Sequence, residues 1–327
     1  MRTRRDFLNG MVTVAAFGLG SRAVAQTFPS RPVTMVVPYP AGGPSDAIGR
    51  VIAEGLRLSL GQPVIIENVG GASGSVGSGR VARAASDGYT ICLGLWPTHV
   101  VNGAVFTLPY DVVNDFQPIG LIATNPLLIV GRKSLPADDL KGFLAWLKAN
   151  PDKATAGTGG AGGASHVAGI YLQKETTAAF QFVYYRGLGP AMQDLIAGHI
   201  DFLIDYSANS LPQVRAGAIK AFAVTARVRL PAAVDIPTVD EAGLAGFYMS
   251  AWHALFGPKG LPKHVIAALN RALVETLADP KVRHRLETLG QEIFPREQQT
   301  PEALAAFQKT EIEKWWPMLK AAGVKLQ

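Results

Sequence analysis

A single cysteine, Cys92, stands among the 327 residues. No disulfide can form within the chain, and a cysteine set in "YTICLGL" reads as inert core. The apolar stretch near the start, Met11 to Gly20, is too short to span a bilayer, which needs about 20 residues. Basic residues form no long run. The formal charge is +6, and +3 of that sits before Gln26, where Arg2, Arg4, Arg5 and Arg22 face only Asp6. The remaining mild excess excludes a nucleic-acid surface and leaves room for a small anion. Also missing are G-x-x-x-x-G-K-[ST], which excludes a nucleotide P-loop, and G-x-S-x-G, which excludes a nucleophile elbow. The six histidines show no metal-ligand spacing, so no metal is expected. His99, His199, His253, His264 and His284 read as core or helix-surface residues.

What is present begins with an address. "MRTRRDFLN" carries Arg4-Arg5, a weak apolar run follows, and Ala23-Val24-Ala25 has the small-x-small form of a cleavage site. Residues 1–25 therefore read as a cleaved export signal of the twin-arginine type, with cleavage after Ala25 and a periplasmic destination.

Beyond it, strand-like and helix-like segments alternate. "VTMVV" (33–37) precedes a helix whose apolar positions Ile48, Val51, Ile52 and Leu56 make one buried face. "PVIIE" (63–67), a second helix through Arg83 and "YTICLGL" (89–95) complete a pattern typical of a parallel sheet with crossover helices. The segment 118–131, broken by Asn125-Pro126, is the candidate first crossing between domains. The alternation then restarts and runs to "IKAFAVT" (219–225). "YMSAWHALFGP" (248–258) reads as an extended return, and helices fill 262–278, 280–289 and 301–321. The expected architecture is α/β with two lobes joined by two crossings: 26–125 with 250–327 as lobe 1, and 126–249 as lobe 2.

The chemistry-bearing stretches are strand–helix turns. In "PYPAGGPSD", Gly42 and Gly43 bare the main chain, and Ser45 or Asp46 is placed to cap the helix. The helix start leaves N–H groups unpaired at its positive end, an arrangement that suits a carboxylate or phosphate. "TAGTGGAGGASHVAG" repeats the device, with Ser165 as cap and Thr158 as a further hydroxyl. Such turns lie at the carboxyl ends of parallel strands, where ligands bind. A third glycine-rich region, 68–77, and the loop "WPTH" (96–99) stand beside them. In that loop Trp96 offers a flat wall or core packing, and Thr98 a hydroxyl. Tyr185-Arg186 and Asp205-Tyr206-Ser207 end two further strands, with Asp205 placed to meet a ligand or to cap the next turn. "GTGGAG" (157–162) matches G-x-G-x-x-G, but the next strand ends in Tyr185-Arg186 where a dinucleotide site wants an acid, so no cofactor is expected. A cleft enzyme would need a base, for which Asp205 and His166 are the candidates; nucleophile, base and orienter are not assembled.

At this point a resemblance enters. "RPVTMVVPYPAGGPSDAIGR", "LGQPVIIEN", "ASDGYTICLG", "LPYDVVNDFQPIGLIA", "ANPDKATAGTGGAGGASHVAG", "YRGLGPAMQDLIAGHIDF" and "IPTVDEAGL", in this order, are similar to the Bug-type periplasmic solute-binding receptors of tripartite tricarboxylate transporters. The resemblance runs from about Phe28 to Gln327. It implies a type II periplasmic binding protein: a monomer of two α/β lobes on a two-segment hinge, with no catalysis. Such a receptor closes on a small carboxylate and serves a membrane permease or, in a variant role, a sensor protein. Carried onto this chain, it implies ligand contacts at Tyr39, Ala41, Gly42, Gly43, Ser45 and Asp46 of the first turn. In the second lobe it implies Thr158, Gly159, Gly163 and Ser165. Trp96, Thr98, Tyr185, Asp205 and Tyr206 would shape the rest of the pocket. "GLWPTH" and "VYYRG" depart from the family's usual residues. With Trp96 as a pocket wall, the ligand is expected to be an aromatic or otherwise planar acid.

Overall fold

A computed structural model describes residues 28–321 and 323, apart from 152. The export signal and its cleavage site lie outside the described residues. Lobe 1 opens with β1 (Val33–Val37), α1 (Pro44–Leu60), β2 (Val64–Asn68), α2 (Ser75–Ala82) and β3 (Thr90–Leu95). Pro44 stands at the first position of α1, where its missing N–H costs nothing, and Gly61 closes the helix at φ +66°. The face read from the spacing is the one that packs: Ile48, Val51, Ile52 and Leu56 are all buried. Each contributes roughly 1.5–3 kcal/mol relative to exposure. On the same helix Gly55 permits a close approach to Thr276, where a Cβ would collide with the threonine side chain.

After β3 the loop expected at 96–99 is helical. A π turn at Pro97–Val101 runs into α3 (Asn102–Val105). The next element is a single 17-residue strand, β4 (Phe116–Arg132). Asn125-Pro126 does not break it. Pro126 falls where β4 leaves one set of neighbours for another, a point at which a strand can do without an N–H.

The second half continues α4 (Leu140–Ala149), β5 (Thr155–Thr158), α5 (Ala164–Thr176), β6 (Gln181–Tyr184), α6 (Leu188–Ala197), β7 (Phe202–Tyr206), α7 (Ser207–Arg215) and β8 (Ile219–Val224). The chain returns through β9 (Ser250–Pro258) to α8 (Lys263–Ala278), α9 (Pro280–Thr288), β10 (Glu292–Ile293) and α10 (Pro301–Ala321). The strand order is β2-β1-β3-β9-β4-β7-β5-β6, with β8 and β10 also pairing with β4. β1 is parallel to β2 and β3, and β5 is parallel to β6 and β7. The first part of β4 pairs with β9 up to Pro126↔Ser250, and its last part pairs with β7 and β8. One strand thus belongs to both halves.

Two segments run between the two sets of strands, β4 where its partners change after Pro126 and the chain that enters β9 at Ser250. Thr225, fully buried, pins both. Its hydroxyl accepts from the Leu127 N–H at 3.0 Å and donates to the Met249 carbonyl at 2.6 Å. The Ser207 hydroxyl bridges the Asn125 side chain and the Gly290 carbonyl, at 3.0 and 3.1 Å. Gly290 (φ +70°) is required there, since a Cβ would strike the Ser207 hydroxyl.

Candidate functional site

Both glycine-rich turns end in helices capped by glycine. Gly43 precedes α1 and Gly163 precedes α5, and neither helix start has a side-chain cap. The expected capping by Ser45, Asp46 and Ser165 is therefore corrected. The bracing comes instead from the third residue of each helix, which reaches back to the glycine before the cap. The Asp46 carboxylate accepts from the Gly42 N–H at 2.9 Å, and His166 Nδ1 accepts from the Gly162 N–H at 3.0 Å. Those two glycines sit at φ +80° and +74°, in the left-handed region that favours glycine.

With the turns held this way, the amides of Gly43, Ser45 and Asp46 in the first, and of Ala164, Ser165 and His166 in the second, donate to no group among the described residues. Each set lies at the positive end of a helix. Other turn amides are satisfied internally: Gly159 donates to the Ser165 hydroxyl at 3.1 Å and Gly160 to the Thr158 hydroxyl at 3.3 Å. Ala41 is exposed beside Gly42.

The two turns belong to different halves, and the third glycine-rich region joins them. The Ser73 hydroxyl donates to the Ala161 carbonyl at 3.2 Å. Ser73 itself is held in a left-handed conformation (φ 52°, ψ 36°), which costs a non-glycine residue about 1–2 kcal/mol. Its carbonyl accepts from the Tyr39 hydroxyl at 3.3 Å and from Asn102 Nδ2 at 3.0 Å, and these bonds hold it in place. Asn68 ties the first turn from below, donating to the Tyr39 carbonyl at 3.1 Å and to Asp46 at 3.0 Å. Tyr206 ends β7 in the other half. Burial, first of all, raises both phenols well above their usual range. The halves are therefore in contact where Ser73 meets Ala161, with Tyr39 of the first turn bonded to the same serine.

Several residues expected at the pocket have other work. Asp46 is buried, and its carboxylate is spent on Gly42, Asn68 and Arg50, the last at 3.0 Å. Burial pushes this group upward, but the bonds from Arg50, Gly42 and Asn68 outweigh it and hold the carboxyl below its ordinary range. Asp205 is fully buried and accepts from the Tyr206 N–H, Asn209 and Ser210 at 2.7–2.8 Å. Burial raises it to about 6 in spite of those donors. It braces the start of α7 and has no free face for a ligand amine. Thr98 is also fully buried, and its hydroxyl is engaged with Leu95 and with His99 Nδ1.

Tyr185 turns to α6, where its hydroxyl donates to Asp194 at 2.6 Å. Trp96 is corrected as well. It is no open wall but a core residue, 0% exposed, packed edge-on to Trp315 of α10 with ring centres 5.2 Å apart. The case for a planar ligand rested on that wall and falls with it. His166 is no general base: burial lowers it to about 4, so it is neutral and acts as an acceptor, with its other nitrogen 3.1 Å from the Tyr184 hydroxyl.

Sequence reasoning missed Asn68, Ser73, Ala161 and Asn102. The signal available was the third glycine-rich region itself, which pointed to the neighbourhood without naming a side chain.

Comparison with known proteins decides what this frame is. Residues 48–324 match the family described as tripartite tricarboxylate transporter family receptor. The chain belongs to that receptor family. A UPF0065 protein from the TAR-I ttuE-ttuC' intergenic region of Agrobacterium vitis is 40% identical over 302 residues, 91% of this chain and 86% of that protein. Among solved structures, the periplasmic binding protein BugD is 39% identical with a TM-score of 0.83, covering 92% of this chain and all of BugD. MatC from Rhodopseudomonas palustris, solved with bound malate, is 38% identical with a TM-score of 0.82, over 89% of this chain and all of MatC. Rpa4515 from R. palustris, solved with adipate, is 31% identical with a TM-score of 0.84, over 90% of this chain and 98% of that one. The fold of this receptor is that of the two-lobed type II periplasmic binding proteins, and its family consists of solute-binding proteins, not enzymes.

Proposed function

We propose that this receptor captures a small aliphatic dicarboxylate between its two lobes in the periplasm and hands it, chemically unchanged, to a membrane permease. The observation that carries the reading is the pair of bare helix starts, three free amides on each, brought to one seam by the Ser73–Ala161 bond. A carboxylate that touches both starts favours the closed arrangement and shifts the population toward it. Hydrogen bonds from backbone N–H to a charged ligand are worth about 1.5–3 kcal/mol each. Several of them reach the roughly −8 kcal/mol of a micromolar complex after ordering costs.

The moving bodies in this reading are residues 26–125 with 250–327, and residues 126–249, turning on the crossings at Asn125–Pro126 and Met249–Ser250. Tyr39, Ala41, Gly42, Gly43 and Ser45 with Thr158, Gly159, Gly163, Ser165 and Tyr206 form its contact shell. Malate and adipate in the related MatC and Rpa4515 support the ligand class. Export of the chain as a monomer, with removal of residues 1–25, completes the proposal.

Thermal melting with malate, succinate, adipate, citrate and benzoate tests it. The aliphatic dicarboxylates should raise Tm in a concentration-dependent way. A flat response to every acid would refute the reading, and stabilisation by benzoate alone would refute the ligand class.

A further inference from the structure

Outside the cleft, α8, α9 and the segment after β10 border a half-open pocket of about 180 Å³. Its apolar side is made by Val274, Leu277, Ile293 and Phe294, and two guanidiniums, Arg283 and Arg296, line it as well. None of the cleft turns contributes to it, and its β10 wall is tied to lobe 1 by the pairing of Ile293 with Ala123.

The charges are what make the cavity more than a packing gap. The Arg296 guanidinium forms no hydrogen bond and no ion pair among the described residues, its carbonyl alone accepting, from the Gln299 N–H at 3.1 Å. Arg283 donates to the Leu277 carbonyl at 3.3 Å, and its ion pair among the described residues, with Glu287, is a long one at 4.0 Å between half-exposed side chains. Two cations with so little counter-charge, beside an apolar floor, match an anion that carries a hydrocarbon tail. Water occupies about 30 Å³ per molecule in the liquid, so the cavity admits a chain of about four to six carbons.

The geometry points to a second ligand site here, for a short aliphatic monocarboxylate: the carboxylate on Arg296 and Arg283, the tail over Leu277 and Ile293. The pairing differs in kind from the cleft. The cleft offers neutral backbone donors to a ligand charged at both ends, whereas this site offers fixed positive charge to one end and hydrocarbon to the other. A ligand of so few atoms binds only at about millimolar concentration.

Methyl NMR on the mature protein, with labelled Ile, Leu and Val, reads this directly. Titration with hexanoate should move the methyls of Ile293, Leu277 and Val274 along a saturating curve. Hexanol should bind at least tenfold more weakly. R296A alone should weaken hexanoate at least tenfold, and R296K should restore most of the loss. Both arginines are exposed, and an unchanged melting temperature for R296A will show that the fold is intact. Unmoved Ile293 methyls at millimolar hexanoate would overturn the proposal, as would equal binding of hexanol or undiminished binding by R296A. The cleft reading stands or falls separately, on the response of methyls near the two glycine-rich turns to dicarboxylates.

Discussion

The turn at 39–46 and the turn at 158–166 have nearly the same backbone and different electrostatics. In each, a left-handed glycine precedes a capping glycine, and the third helical residue reaches back to fix the left-handed one. In the first turn that residue is a carboxylate, with Asn68 and Arg50 gathered around it. In the second it is a neutral imidazole with one further hydrogen bond, to Tyr184, and an edge-on contact with Phe182. A helix start that already accommodates its own anion has less of its positive end left for a ligand. The first turn also carries Pro44, which has no N–H to offer. On the proposed reading, the comparison assigns rigidity to lobe 1 and the larger share of anion affinity to lobe 2.

Three measurements break or sharpen that contrast. The largest effect is expected in stability. Asp46→Ala strips an acceptor from Gly42, Asn68 and Arg50 at once and should cost about 3 kcal/mol in urea unfolding, with the Arg50 share reduced because its side chain is half exposed. His166→Ala removes neutral bonds and should cost about 1–2 kcal/mol. Equal costs would remove the distinction.

Next comes affinity. Both capping glycines have ordinary φ values, −83° at Gly43 and −70° at Gly163, so no backbone strain bars a side chain; a Cβ at Gly163 would press on the Gly160 carbonyl at 3.2 Å, one at Gly43 would meet only ordinary contact. Gly163→Val, set before the uncompensated helix start, should weaken dicarboxylate binding in calorimetry by at least about thirtyfold, or ~2 kcal/mol. Gly43→Val should weaken it several times less. The reverse order would place the anion grip in lobe 1.

The smallest effect is in pH dependence. Burial lowers His166 from its usual value to about 4. Its neutral form is favoured by folding, so its contribution is complete above about pH 6.5 and is lost as pH falls from there to about 4. His253, also lowered to about 4, and His99, lowered to about 3, act in the same direction. Asp205, raised to about 6, acts in the opposite one: its contribution is complete in acid and is lost as pH rises toward 6. Asp46, held below its ordinary range, keeps its contribution down to still lower pH. His166→Gln should therefore recover about 1–2 kcal/mol of the stability lost at pH 5 relative to pH 7.5, measured by denaturant melts. An unchanged difference between the two pH values would show that His166 titrates normally in the folded protein.

Much of the frame was legible in advance. The face of α1, the parallel order implied by alternation and the two turns all lie in patterns a few residues long. What misled was direction. Ser45, Asp46 and Ser165 are the right residue types for a cap, yet glycine takes that place, because the side chain at the third helical position reaches the turn better once glycine lets the backbone fold back. Trp96 looked like a pocket wall because nothing in its own neighbourhood shows that α10 returns beneath β3 and offers Trp315 to its ring. Asp205 and Thr98 looked free for the same reason: their partners become known only when the next helical turn is built.

The sequence by itself determined where the backbone would be bare and where helices would start, since glycine, proline and apolar spacing act through neighbours along the chain. Only the tertiary structure decided which polar groups were left over for a ligand. That outcome depends on contacts such as Ser73 with Ala161, 88 residues apart, and a hydrogen bond consumed at such a distance leaves no trace in local pattern.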